Sequence, residues 1–128
     1  MATKSLVLCD TNIIIEFYKG NSSILAELRS IGQENIAVSI ITAGELLYGA
    51  LNKKESTRIT RDLAHLHLLH LDPTVCECFI DLMSEYSLSH NLSLPDGLIA
   101  ATSLIEEIPL YTLNKKDFEY INGIQLYR

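Results

Sequence analysis

Short apolar runs alternate with helix-periodic segments along this chain, and no other feature narrows its possible folds as far. Ser5–Cys9 is a nearly continuous apolar run and reads as a buried strand. A short helix is expected near Asn12–Tyr18, and Ser22 or Ser23 caps a second that carries Ile24, Leu28 and Ile31 on one face. Ile36–Ser39 reads as a strand and Thr42–Leu51 as the next helix. Ser56–Leu69 and Thr74–Leu88 read as longer helices, parted by the apolar stretch Leu69–Leu71 that Asp72 and Pro73 end. The second repeats Val75, Phe79, Leu82 and Tyr86, a core stripe. Pro95–Glu106 is apolar on three sides and reads as a buried helix. Leu110–Thr112 is an expected strand, Lys116–Tyr120 a short helix and Ile124–Tyr127 a closing strand.

Strands separated by helices require right-handed crossovers and give a parallel sheet covered on both faces. The expectation is therefore an α/β fold with a central parallel sheet of about four to five strands between helical layers. At 128 residues the chain suits a single domain spanning 1–128, and 48% hydrophobic with 20% charged residues suits a packed core rather than disorder. No apolar stretch is long enough to cross a membrane, and the first residues, with Lys4 and then Asp10 interrupting a short apolar run, make a poor signal peptide. A cytoplasmic protein is expected. Cys9, Cys76 and Cys78 agree with a reducing compartment, and the C-E-C spacing is neither a redox motif nor a zinc pair.

In such sheets ligands sit beyond the carboxyl ends of the strands, so acids at those ends carry information. Asp10 ends the first apolar run in "LVLCDTN". Glu45 follows the second strand in "SIITAGELLYG", Asp96 opens the buried helix in "LPDGLIAATS", and Asp117 follows the late strand in "YTLNKKDF". Each has a plainer reading alone. Asp10 suits an N-cap, Thr42 with Glu45 and Ser93 with Asp96 suit capping boxes, and Asp117 complements a helix dipole. Two glycines tip the balance toward a site. Gly49, one turn beyond Glu45 within the expected helix, costs ~1 kcal/mol against Ala and leaves that face bare, and Gly97 directly after Asp96 reads the same way. Carboxylates converging on one edge repel unless a cation lies among them, and Mg²⁺ or Mn²⁺ prefers such oxygen ligands. A metal held there activates water for in-line displacement at phosphorus. The net charge of −6 argues against nonspecific nucleic-acid binding through a basic surface, but not against a nuclease whose acids hold metal.

The ordered motifs "LCDTN", "AGELLYG", "LPDGLIAAT" and "YTLNKKDFEYINGIQLY" cover nearly the whole chain, which resembles PIN-domain ribonucleases and, among them, the small VapC-type toxins of toxin–antitoxin pairs. The resemblance implies a PIN-like α/β/α sandwich in which Asp10, Glu45, Asp96 and Asp117 form the acidic metal site, supported by Thr11, Asn12, Thr112 and Asn114. It also implies Mg²⁺ or Mn²⁺ dependence, endonucleolytic cleavage of RNA, a homodimer, and inhibition by a VapB-type antitoxin that inserts a segment near the active site.

Lys54, Arg58 and Arg61 share one face of an expected helix beside Lys53 and are candidate RNA contacts, although Glu55 and Asp62 dilute the patch. Lys115 and Lys116, adjoining Asp117, are better placed for phosphate. In "HLHLLHLD", His65 and His67 diverge on an expected helix and lack the i, i+4 spacing of a zinc pair. Among rival readings, a receiver domain needs paired acids after its first strand, and a haloacid-dehalogenase-like phosphatase needs Asp-x-Asp where Asn12 stands. A catalytically silent PIN-like module that only binds RNA or protein keeps the fold and drops the chemistry.

Overall fold

The structure, a computed structural model, describes residues 5–128; the first four residues of the expected domain lie outside the described part. Four strands, β1 (Val7–Cys9), β2 (Ile36–Ser39), β3 (His67–Leu69) and β4 (Leu110–Tyr111), form one sheet in the order β3-β2-β1-β4. Every pairing is parallel, with Val7 opposite Ile36, Cys9 opposite Tyr111 and Val38 opposite Leu68. The expected parallel α/β sheet is thus present. Its order differs from the 2-1-3-4-5 of flavodoxin-like receivers, which removes that rival.

Alternation along the central strands fills two cores. Leu8 and Ala37 point into one, with Val75, Leu82, Ile99 and Leu110. Cys9, Ile36 and Val38 point into the other, with Ile13, Leu28, Leu46 and Ile59. The first core lies under α5 (Pro73–His90) and α6 (Leu94–Glu106), the second under α1 (Thr11–Tyr18), α2 (Ser22–Ile31), α3 (Ile40–Tyr48) and α4 (Lys53–Leu63). The central strands are buried throughout, and apolar but for Ser39, because both faces are covered. Because all strands run one way, Cys9, Ser39, Leu69 and Tyr111 end at the same edge.

Several local expectations are corrected. The cap of α2 is Asn21, whose Oδ1 accepts from the Ser23 and Ile24 amides at 3.0 and 3.3 Å, rather than either serine. Helix α3 begins earlier than expected, on the Ser39 cap, so Thr42 lies inside it rather than opening a capping box. It also ends sooner, and Gly49 closes it at φ −82° instead of baring a helix face. At Gly97, a Cβ would come 2.8 Å from Met83 Sδ and 3.1 Å from the Phe79 ring. That glycine lets α6 lie close against α5, and it opens no room beside Asp96.

The helix expected over Ser56–Leu69 stops at Leu63, and β3 takes the residues after it. His67 therefore lies on a strand, with its Nε2 2.8 Å from the Glu34 carbonyl. Lys115–Asp117 form a single 3₁₀ turn, and the closing strand is reduced to a bridge between Leu110 and Leu126. Cys9 is buried and its thiol is pushed up to about 12, chiefly by that burial and then by the Asp10 charge, as expected of a structural thiol.

Candidate active site

The parallel register delivers Asp10 and Thr112 side by side, one step beyond the paired ends of β1 and β4. The Asp10 amide donates to the Tyr111 carbonyl at 2.9 Å, and the Thr112 hydroxyl donates to Asp10 Oδ2 at 2.7 Å. Asp10 Oδ1 accepts from the Thr11 amide at 2.8 Å, so the carboxylate also caps α1. With 5% exposure, both of its oxygens are fixed. Burial raises the Asp10 carboxyl above its ordinary value; the bonds from Thr112 and Thr11 oppose this, and the charges of Glu45 and Asp117 add to it.

Glu45, one turn into α3, is held from α1. Thr11 Oγ1 donates to Glu45 Oε1 at 2.7 Å, and Thr11 Oγ1 lies 2.9 Å from the buried Thr42 hydroxyl. A hydroxyl has one proton to give. Since Thr11 gives its own to the carboxylate, Thr42 must donate to Thr11, and a directed chain runs from Thr42 through Thr11 to Glu45. The sequence marked Thr42 only as a cap. Its spacing three residues before Glu45 was the available signal, because residues i and i+3 share a helix face.

Asp96 lies in the first turn of α6, its amide bonded 3.3 Å from the Ser93 hydroxyl as the capping box anticipated. Burial pushes its carboxyl up to about 6; the charges of Asp10, Asp117 and Glu45 add to this, and a hydrogen bond from Ser93 works against it. Asp117 stands exposed on the 3₁₀ turn. All four acids thus lie within electrostatic reach of one another. Of the supporting residues, Asn12 accepts from the Leu113 amide at 3.3 Å, which ties α1 to the segment after β4. Asn114 enters through its backbone, whose amide donates to Thr112 Oγ1 at 3.0 Å.

Among the described residues, no three His, Cys, Asp or Glu side chains close on a point as a finished metal cage. The donor set is nonetheless all carboxylate, with Asp10 and Glu45 held by hydroxyls and Asp10 and Asp96 raised by burial and then by neighbouring acids. That chemistry suits a hard cation that keeps several of its waters.

The basic candidates separate. Lys116 lines one cavity with Asp96 and Asp117, and Lys115 is exposed on the same turn. Arg58 and Arg61 instead line a larger groove of about 610 Å³ between α1, α2 and α4, which shares no residue with the acids. There the Arg58 guanidinium sits 4.9 Å from the Tyr18 ring centroid, and Tyr18 donates to Asp62 at 2.7 Å. Lys54 is exposed near the start of α4.

A PIN domain family model matches residues 7–123. The sequence is 27% identical over 128 residues to Ribonuclease VapC1 of Methanocaldococcus jannaschii, covering 97% of this chain and 88% of that protein. It is 29% identical over 111 residues to Ribonuclease VapC10 of Mycobacterium tuberculosis, covering 85% and 83%. Among solved structures, a toxin–antitoxin complex from Klebsiella pneumoniae has a chain 30% identical, with a TM-score of 0.79 over 92% of this chain and 94% of that one. A chain of VapBC2 from Rickettsia felis, bound to a DNA fragment from their promoter, is 25% identical with a TM-score of 0.79 over 95% and 97%.

Proposed function

The chain belongs to the PIN domain family, and from that premise we propose that it is an endoribonuclease toxin of the VapC type, restrained by a VapB-type antitoxin. The observation that carries this reading is the acidic edge itself: carboxylates from four separate segments, two of them wired to threonine hydroxyls, with Asp10 and Asp96 raised by burial and by their acidic neighbours where a parallel sheet presents its ligands. The names of the similar proteins support the activity and the partner.

Asp10, Glu45, Asp96 and Asp117 are assigned as the residues that hold Mg²⁺ or Mn²⁺. When bound, the ion supplies an activated water and neutralises charge on the phosphate and the leaving oxygen. The chain's own residues set the geometry. Thr112 and the Thr11 amide fix both Asp10 oxygens, and the Thr42–Thr11 chain fixes Glu45. Asp96, with its carboxyl pushed up to about 6, gains full charge as a cation arrives. Lys115 and Lys116 offset the acidic edge as the RNA backbone approaches.

The groove between α1, α2 and α4 has an apolar floor that includes Phe17, Leu25 and Leu28, and a rim that includes Arg29, Arg58 and Arg61. It suits an amphipathic segment with acidic residues and is assigned to the antitoxin. Ile80, Leu88 and Leu94 stand exposed on α5 and α6, which supports a homodimer formed through those helices. Residues 1–128 are read as one domain working in the cytoplasm. Among the described residues, no helix is long and apolar enough to cross a membrane.

The test is cleavage of total cellular RNA in Mn²⁺ by protein freed of any partner, with chelator and Asp10→Asn as controls. Cleavage that requires both the metal and Asp10 supports the reading. Cleavage indifferent to either, or none by the wild type, rejects it.

A further inference from the structure

Beside the acids lies a cavity of about 240 Å³ whose walls differ in chemistry. Asp96 and Asp117 contribute one side, His90 and Tyr120 another, and Lys116 lines it as well. The His90 and Tyr120 rings are stacked, with centroids 4.0 Å apart and planes 10° from parallel. Tyr86 supports both edge-on, with centroids 5.1 Å from Tyr120 and 5.7 Å from His90.

The three rings have different duties. Tyr86 is buried and its hydroxyl accepts from the Asn122 amide at 3.1 Å, so it pins the C-terminal segment to α5. Tyr120 is half-buried against it. His90 is exposed, and among the described residues its one side-chain hydrogen bond is with the hydroxyl of its neighbour Ser89, at 2.8 Å. Its contact with another element is the stack on Tyr120. Its position is nonetheless fixed, because it ends the 18-residue helix α5 and Asn91 turns the chain away at φ 56°. His90 is thus an exposed ring backed by a second ring, on the wall of a cavity that Asp96 and Asp117 also line.

We propose that the His90–Tyr120 stack receives one unpaired nucleobase next to the scissile phosphate, with Lys116 on the adjoining backbone. The proposal rests on the ribonuclease reading and narrows it to single-stranded or looped RNA. A base must leave its helical neighbours before an aromatic side chain can stack on it. Aromatic stacking accepts any base, so this platform sets register along the strand rather than sequence.

The test pairs binding with cleavage in the full-length protein. Affinity for a labelled single-stranded RNA is measured in the non-cleaving Asp10→Asn background, with and without His90→Ala and His90→Phe. Kinetics are measured in the otherwise native protein. His90→Ala is expected to raise Kd and KM by about five- to a hundredfold while kcat, melting temperature and oligomeric state hold. His90→Phe restores both constants. An abasic nucleotide, moved along the RNA, reproduces the His90→Ala loss at one position and adds nothing to it in that variant. Tyr120→Phe, which keeps the ring, leaves affinity intact. Unchanged Kd in His90→Ala, or failure of Phe to rescue, overturns the platform while metal-dependent cleavage leaves the ribonuclease reading standing. His90-dependent binding without cleavage by the native protein shows that His90 stacks on RNA but overturns the ribonuclease reading, and with it the placement beside a scissile phosphate. Absence of binding to any RNA overturns both.

Discussion

Asp10 and Glu45, at the start of α1 and inside α3, are wired to hydroxyls from Thr112, Thr11 and Thr42, whereas Asp96 and Asp117, across β1, are held by a helix cap and an exposed turn. One half of the edge is set before any ligand arrives. The other is a pair of charges on shorter tethers, one of them already disfavoured by burial and by its neighbours. A site built this way has a fixed jaw and an adjustable one. If the edge holds a cation as proposed, the hydroxyl-bonded pair would fix where it sits.

The largest break in that contrast is Asp10→Asn. Asn caps a helix about as well as Asp, so the melting temperature should barely move while cleavage falls by about 10²-fold or more. Parallel melting curves and initial rates check both. Thr112→Val should come next. It keeps the carboxylate but frees one oxygen, and metal affinity by titration calorimetry should fall about 10- to 100-fold, the usual cost of losing a ligand's supporting partner.

Gly97→Ala tests the adjustable jaw through packing. Its Cβ must displace Met83 Sδ and crowd Phe79, so denaturant melts should show a loss of about 1–3 kcal/mol. A smaller effect is carried by pH. Asp96 titrates near 6 in the folded, metal-free protein against an ordinary value of 3.8. Its contribution favours the folded state below that ordinary value and is lost as pH rises through about 6. Mn²⁺ should therefore raise the melting temperature more at pH 7.5 than at pH 4.5. An Asp96→Asn variant should lose the share of that pH dependence that Asp96 carries, leaving the share of Asp10, whose carboxyl is also raised. Gly49→Ala should do least, because the added Cβ meets only the Glu45 and Leu46 carbonyls at ordinary contact and φ is helical. Unchanged activity with a few tenths of a kcal/mol gained is the expectation, and a large loss would restore the bare-face reading.

The central strands and the buried helix were legible in the sequence because each carries its own periodicity. Ile36–Ser39 appears as expected, and Pro95–Glu106 gains only Leu94. Edge elements carry none. His67–Leu69 is three half-buried residues made into a strand by pairing with β2, a tertiary fact that leucine-rich sequence reads as helix. The four acids could be found because strand ends and helix starts are local. Thr42 left only its spacing from Glu45, which does not tell a cap from a hydroxyl aimed across to another helix, and a ring at His90 stacked on a residue thirty positions away leaves no local trace. Both glycines were misread for a related reason, in that space around a glycine belongs to its neighbours. At Gly97 those neighbours lie on α5.

The bond from Thr112 to Asp10 joins residues 102 apart in sequence. A ribosome releases the N-terminal strand and the first acids long before the segment that orients them. Until β4 slots beside β1, Asp10 lacks its hydroxyl partner and the edge lacks Asp117 altogether. A nascent or truncated chain is thus an unarmed one. For a protein read as poisonous to its own cell, topology delays the hazard until β4 and the turn that carries Asp117 have been made.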